Sequence, residues 1–265
     1  MQKHFTPAER KRLAALYHAE RGLLVGKAYG SPPQGAIHPR AARFQKLVEH
    51  LGAASTLDAA VGTGIPTLID IDKIPVGRNL HCSDGDAQML EVLREKTSPA
   101  VLEMLSGRIF HAKWEELPRI FEMRFDLVII LGNSIPYALG WHGEHASTTE
   151  MRNVVSASFS GILGVLKPDG KLLFDLAKYS GGRIQLGKAL VGGLEEQLSI
   201  EAGYEDGRRY WTIWTGHDNL TVEGIALTIE EISQLLKDAG FRNVIRVPDE
   251  LQLDLPFYES FLALK

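Results

Sequence analysis

The sequence predicts an α/β fold: a doubly wound, mostly parallel sheet of seven strands, with one antiparallel strand near the C-terminus and a small antiparallel β insertion. Three observations carry this expectation. Apolar strand-like runs alternate with helical patterns from residue 55 to residue 176. The first of these strands runs into a glycine-punctuated turn, Leu57-Asp58-Ala59-Ala60-Val61-Gly62-Thr63-Gly64. The last two strands, 242–247 and 257–264, are joined by a stretch too short for a crossover helix, so at least one must run antiparallel to a neighbour.

Taken in order, residues 7–26 carry apolar positions at helical spacing (Leu13, Leu16, Tyr17, Leu23, Leu24) behind the start signal Thr6-Pro7. Tyr29 to Gly35, with two prolines and two glycines, reads as a loop, and 39–52 as a second helix. The alternation then runs strand 55–60, helix 63–72, strand 78–83, helix 86–96, helix 98–105 and strand 107–112. Strand 125–131 is almost wholly apolar, as a parallel strand covered on both faces should be. A helix over 148–166, a turn at Lys167-Pro168-Asp169-Gly170 and a strand over 171–176 follow. After Tyr179 the pattern changes: 195–202, 208–215 and 221–227 have β character with little helix between them. Helix 229–239 restores the alternation and ends at Gly240, a good C-cap. The implied organisation is an N-terminal helical cap (1–52), a core (53–179), a β-rich substrate lid or insertion (180–227) and the rest of the core sheet (228–265).

Composition narrows the class. The 265 residues fit one large domain, or a domain with a smaller lid. At 45% hydrophobic and 23% charged the chain is ordinary for a soluble globular protein. It contains no apolar run of membrane-spanning length, so no membrane association is expected. Met1 to Phe5 lack the apolar core and cleavage site of a signal peptide, and a single cysteine, Cys82, excludes an internal disulfide and a cysteine-rich metal site. A cytoplasmic protein is the simplest expectation. With a net charge of −4 and no block of basic residues, no nucleic-acid partner is expected. A homo-oligomer is compatible with the sequence.

Glycines just after a strand let a ligand approach the backbone closely, and Asp84 at the end of the next strand could accept from ribose hydroxyls. The dinucleotide fingerprint Gly-x-Gly-x-x-Gly is not matched. The run is Asp58-x-Ala60-x-Gly62-x-Gly64, with alanine at the first glycine and the third only two residues after the second. Asp58 would also repel a pyrophosphate, whereas a ligand with a cationic centre and an amino-acid tail tolerates it. S-adenosylmethionine is such a ligand.

On these residues the chain resembles the class I S-adenosylmethionine-dependent methyltransferases, whose core is Rossmann-like, and within them the glycine N-methyltransferase group. The resemblance runs from about residue 39 to 179. Leu57 to Gly64 matches the first motif, and Ser83-Asp84-Gly85-Asp86-Ala87-Gln88-Met89-Leu90 the second. Ala112-Lys113-Trp114 is similar to the adenine-side segment. The most specific match is Leu131-Gly132-Asn133-Ser134 after strand 125–131, and Leu166 to Leu173 resembles the turn before the fifth strand. The resemblance implies that Asp58, Ala60, Gly62, Gly64, Asp84, Gly85, Met89, Lys113, Trp114, Leu131, Gly132 and Ser134 bind S-adenosylmethionine. Arg40, in Pro39-Arg40-Ala41-Ala42, would then hold the ligand's carboxylate. One departure stands out. Glycine-specific members carry an arginine after the fifth strand's aspartate; here Phe174-Asp175-Leu176-Ala177-Lys178-Tyr179 puts Ala177 there. A neighbouring lysine is a poor replacement for a bidentate clamp, which speaks against glycine as the acceptor.

Each role has a plainer counterpart. Gly64 can serve helix–sheet packing alone, Asp58 can bond turn amides, and Trp114 can be a core residue as readily as an adenine wall. Asp86 reads as an N-cap for helix 86–96. Asn133 sits where it could orient an acceptor atom. Tyr137, Trp141, His142 and His145 follow it, with His142 or His145 the local general-base candidates for a hydroxyl acceptor. No acidic or cysteine partner gives those histidines metal-ligand spacing, so no metal is expected. Trp211 and Trp214 should face opposite sides of one strand. The catalytic candidates are therefore Asn133, Tyr137 and His142. The activity implied is N-methylation of a small amine or nitrogen heterocycle, with S-adenosylhomocysteine as product. Small-molecule O-methylation and a methyltransferase-fold binding protein without transfer activity are the alternatives.

Overall fold

The computed structural model describes residues 5–139, 147–178, 181–253 and 257–265. The chain opens with α1 (Pro7–Tyr29), three residues longer than the periodicity predicts. Its start is fixed by a capping box: the Glu9 N–H donates to the Thr6 hydroxyl and the Thr6 N–H donates to the Glu9 carboxylate. α2 (Pro39–His50) and β1 (Thr56–Asp58) follow. Then come β2 (Leu80–Asp84), α3 (Ala87–Lys96), α4 (Pro99–Met104), β3 (Ile109–His111), α5 (Leu117–Ile120) and β4 (Phe125–Ile130). α6 (Thr148–Val165) leads into β5 (Leu166–Ala177). A four-strand run, β6 (Arg183–Val191), β7 (Leu194–Glu205), β8 (Arg208–Trp214) and β9 (Asn219–Ile225), precedes α7 (Ile229–Ala239), β10 (Asn243–Arg246) and β11 (Tyr258–Leu264).

The expected helix over 63–72 does not form. The chain there is a series of turns ending in two 3₁₀ segments, Ile71–Lys73 and Pro75–Asn79. Gly62 and Gly64 have φ of +54° and +91°, and Asp70 is left-handed at +52°. The left-handed turns at Gly64 and Asp70 interrupt α geometry at both ends of the run.

The main sheet has the order β10-β11-β5-β4-β1-β2-β3, and β11 alone runs against its neighbours. This is the seven-stranded, mostly parallel sheet the sequence predicts. The four residues 167–170 loop out of the β4–β5 pairing, where Phe125 faces Leu166 but Leu127 faces Lys171, so the expected turn lies within β5. Leu127, Val128, Ile129 and Ile130 of β4 are fully buried, each contributing roughly 1.5–3 kcal/mol of apolar burial.

The β-rich region is larger than expected, because β6 adds a fourth strand to an antiparallel sheet of order β6-β7-β8-β9. Leu198, Ile200, Trp211, Ile213, Leu220 and Val222 of that sheet pack with Leu13, Leu16, Tyr17 and Leu24 of α1. Trp211 is buried; Trp214, on the opposite face, donates to Glu201 at 3.2 Å. Among the described residues no helix is long and apolar enough to cross a membrane.

Candidate functional site

β1 pairs with both β2 and β4, so the crossovers diverge between β1 and β4. Doubly wound sheets hold ligands at that point, beyond the carboxyl ends of the strands. A cleft open to solvent lies there. It is walled by the loop after β1, the end of β2, the start of α3, the segment after β3, the loop after β4 and Tyr17 of α1.

The loop after β1 is tied down at several points. The Ala59 N–H donates to the Ile129 carbonyl at 2.9 Å, and the Ala60 N–H to Asp58 Oδ1 at 3.1 Å. The Gly62 N–H donates to Asp84 Oδ2 at 2.8 Å, while Asp84 Oδ1 accepts from the Asp86 N–H at 2.9 Å. A carboxylate offers about four lone-pair sites. Asp84 therefore keeps acceptor capacity where it faces the cleft. Burial pushes its carboxyl up to about 6, against the lowering effect of those two N–H donors. Asp86 caps α3, accepting from the Gln88 and Met89 N–H groups, as the sequence predicts, and also lines the cleft. Trp114 forms one wall and donates its indole N–H to the Ala59 carbonyl at 2.6 Å, so it is both a cleft residue and a core residue.

The loop after β4 is held from below by β5. Asp175 accepts from the Gly132 N–H at 3.0 Å and the Asn133 N–H at 2.6 Å. Asn133, left-handed at φ +59°, accepts from the Ala177 N–H at 3.0 Å with its side-chain oxygen. Burial raises the Asp175 carboxyl. The Ser134 hydroxyl donates to the Leu131 carbonyl at 2.8 Å. Tyr137 faces the cleft beside Arg209, and burial pushes its phenol up to about 12.

Of the residues singled out by sequence, Ala60, Gly62, Asp84, Gly85, Met89, Lys113, Trp114, Ser134 and Tyr137 line the cleft. Asp58, Gly64, Leu131, Gly132, Asn133 and Arg40 are not among its lining residues. Asp58 is 1% exposed; burial raises its carboxyl to about 7, against the lowering bonds from Thr67 and Ala60. Arg40 is 1% exposed, with its guanidinium 5.6 Å from the centre of the Phe44 ring. Asp58 and Asp175 are the acids that act on it, and its Nε and Nη1 have no hydrogen-bond partner. Trp141, His142 and His145 lie outside the described residues, and among the described residues no cluster of metal-ligating side chains occurs.

Sequence reasoning missed a buried polar cluster behind Tyr17. Arg21 of α1 donates to the Tyr258 hydroxyl at 2.6 Å and the Gly132 carbonyl at 3.1 Å, and its Nε lies 3.3 Å from Glu20 Oε2. Burial raises Glu20 to about 7, Arg21 lowering it less. A signal was present: Glu20 falls on the stripe Leu13, Leu16, Tyr17, Leu24, where a charge on an apolar helix face calls for an explanation.

A mostly parallel seven-stranded sheet with one antiparallel strand, and a glycine loop bound to an acid on the next strand, define the class I S-adenosylmethionine-dependent methyltransferase fold. No family model matches the chain. It is 34% identical over 136 residues to a glycine/sarcosine N-methyltransferase of Aphanothece halophytica, a match covering 51% of this chain and 45% of that relative. The chain therefore spans less than half the length of that relative in the match. Among solved structures it is similar to an amino pentose methyltransferase of Micromonospora echinaspora with S-adenosylmethionine bound (TM-score 0.58, 16% identity, 87% and 92% of the two chains). It is similar also to a sugar N-methyltransferase of Streptoalloteichus sp. (TM-score 0.59, 16% identity, 87% and 88%).

Proposed function

We propose that the protein is an S-adenosylmethionine-dependent methyltransferase that N-methylates a small amine or nitrogen heterocycle. The observation that carries this reading is Asp84: a carboxylate fixed by two backbone N–H groups, with acceptor capacity to spare, in a cleft walled by Trp114 and Met89. The residues fit the group. Asp84 would accept from the ribose hydroxyls, Trp114 and Met89 would enclose the adenine, and Ala60 and Gly62 would let the backbone approach the amino-acid tail. Gly85, Lys113 and Ser134 complete the wall. Gly64, Leu131 and Gly132 shape the loops from behind. Asp58 and Arg40 lie beneath the β1 loop, so any contact with the ligand's tail would be through that loop.

When bound, S-adenosylmethionine supplies an activated methyl group. The chain's own contribution is then proximity and alignment. Asn133 acts as a positioning residue, through the loop it pins to β5. Tyr137 is the catalytic candidate that faces the cleft, and a neutral amine acceptor asks for no general base at the chemical step. In this reading residues 1–52 cap the cofactor site, 53–179 hold the cofactor, 180–227 form the substrate lid, and 228–265 complete the sheet. The name of the relative from Aphanothece halophytica and the sugar N-methyltransferase likeness both favour nitrogen over oxygen as acceptor atom.

The test is calorimetric titration with S-adenosylhomocysteine, with NAD as a parallel control. Saturable one-site binding of S-adenosylhomocysteine alone is expected. Absence of binding, or a preference for NAD, would overturn the assignment.

A further inference from the structure

We propose that the methyl acceptor is a weakly basic aromatic nitrogen compound without an acidic group, an arylamine or a nitrogen heterocycle, and that Ser134 orients it by accepting its N–H. The proposal rests on the methyltransferase reading above and deepens it to a substrate class.

The cleft divides into two halves of different chemistry. Asp84, Gly85, Asp86, Met89, Lys113 and Trp114, from the end of β2, the start of α3 and the segment after β3, make the cofactor half. Tyr17 marks the boundary. Its Cε1 lies 3.6 Å from where a Cβ on Gly62 would stand, and its hydroxyl oxygen 2.8 Å from the corresponding point on Gly132. It therefore lies across both the loop after β1 and the loop after β4. On the β4 side the described lining is Ser134, Tyr137, Ala138 and Leu139.

This second half is apolar and uncharged. Burial pushes the phenols of Tyr17 and Tyr137 up to about 12, so both stay neutral at physiological pH. The Ser134 hydroxyl donates its one proton to the Leu131 carbonyl at 2.8 Å. Its oxygen therefore offers the cleft acceptor lone pairs and no donor. An N–H is the group that satisfies them, while the two tyrosines, Ala138 and Leu139 suit a flat apolar body.

The cations that could take a carboxylate stand elsewhere. Among the described lining residues the one cation is Lys113, and it belongs to the cofactor half, with its Cγ 3.5 Å from where a Cβ on Gly85 would stand. Arg21 and Arg209 are each 2% exposed and do not line the cleft. Arg21 donates to the Tyr258 hydroxyl and the Gly132 carbonyl, and Arg209 to the Tyr204 hydroxyl. A carboxylate entering this half would lose its hydration without gaining a partner.

The same lining sets the basicity of the nitrogen. Methyl transfer needs a nitrogen lone pair. An alkylamine is protonated at neutral pH, and no carboxylate, imidazole or amine lines the described acceptor half to take that proton. An arylamine or a ring nitrogen keeps its lone pair. That pair forms the N–C bond, the S–C electron pair stays with sulfur in S-adenosylhomocysteine, and the proton of the methylated nitrogen leaves to solvent.

The experiment titrates matched pairs into the protein saturated with S-adenosylhomocysteine: aniline against para-aminobenzoate, and benzimidazole against its carboxylate, with glycine and benzylamine as further probes. Methyl transfer from S-adenosylmethionine to the same compounds is followed in parallel at neutral pH. The uncharged aromatic members should bind about tenfold more tightly than their carboxylates and be methylated, with glycine and benzylamine inert. Ser134→Ala should raise the KM for aniline about tenfold, with kcat and S-adenosylhomocysteine affinity within about twofold of the parent. Ser134→Thr, which keeps the oxygen, should restore it. Leu139→Arg, which puts a cation at a half-buried position of the acceptor half, should turn the preference toward para-aminobenzoate. Equal or tighter binding of the carboxylates by the parent, methylation of glycine, binding of no acceptor by a protein that holds S-adenosylhomocysteine, or an unchanged KM in Ser134→Ala overturns the proposal. A parent protein that fails to bind S-adenosylhomocysteine overturns the methyltransferase reading instead.

Discussion

Gly161 of α6 offers a test in which two effects of opposite sign compete. In the middle of a helix, glycine to alanine ordinarily stabilises by roughly 0.5–1 kcal/mol. At Gly161 an added Cβ would stand 2.2 Å from the Trp114 carbonyl oxygen and 2.8 Å from Glu115 Cα. That is about 1.2 Å short of the 3.4 Å at which ordinary contact begins. The obstacle is backbone, and it is held: Trp114 is anchored to Ala59 through its indole, and the Lys113 N–H donates to the Glu116 carboxylate at 2.9 Å. Overpacking of this kind costs roughly 1–3 kcal/mol, so Gly161→Ala should lose a net ~1–2 kcal/mol. Relief comes by pushing the Trp114 segment toward the cleft, so affinity for S-adenosylhomocysteine should fall about tenfold, or ~1.4 kcal/mol. Urea denaturation should show a lower midpoint with an unchanged slope, and calorimetry the weaker binding. Gly26, exposed in α1 with nothing within 4 Å of its Cβ position, is the control, and Gly26→Ala should raise the midpoint. A Gly161→Ala protein as stable as its parent, with undiminished affinity, would refute the reasoning.

Asp84→Ala should weaken S-adenosylhomocysteine binding by roughly 1–3 kcal/mol, the scale of hydrogen bonds to a charged group, and unchanged affinity would remove Asp84 from the ribose role. Because burial raises this carboxyl to about 6 and the ionised form is the better acceptor, affinity should decline as pH falls from 7 to 5; a calorimetric pH series that stays flat contradicts this. Asp58 has its folded-state value raised from 3.8 to about 7, so the stability it contributes is present below 3.8 and lost as pH rises through about 7. Asp58→Asn abolishes that dependence, and the variant should gain stability relative to the parent between pH 5 and pH 8 in urea titrations; the opposite trend counts against the burial argument. Trp114→Phe leaves the Ala59 carbonyl without its donor and should cost roughly 1–3 kcal/mol in denaturant, with a change under about 0.5 kcal/mol showing that the bond matters little.

What the sequence revealed, and what it concealed, divides along the range of the interactions. The capping boxes at Thr6 and Thr228, the Asp86 cap and the apolar β4 are set by neighbours in the chain, and each is where local patterning puts it. The helix over 63–72 was lost to the left-handed Gly64 and Asp70, which outweigh an apolar run. β6 escaped notice because Leu186 is its one buried residue and its alternation breaks at Gly187, where the pairing register shifts. In the site, Asp84, Gly62 and Trp114 were legible because they sit at strand ends in sequence-local motifs. The Arg21 cluster was not, since its partners Gly132, Trp211 and Tyr258 are brought to α1 only by packing of the two sheets.

The Asp175 carboxylate joins the Gly132 and Asn133 amides to β5, and Asn133 returns the bond to Ala177. The loop after β4 thereby takes its reference frame from the parallel sheet beneath it rather than from the antiparallel sheet that adjoins Tyr137. Apart from Arg21, which donates to the Gly132 carbonyl, side chains on α1 and on β6 to β9 can change without retuning that frame. The chain is in this sense a fixed stage with an interchangeable ceiling, and altering what it accepts is a problem of editing residues 7–29 and 183–225 while leaving the stage alone.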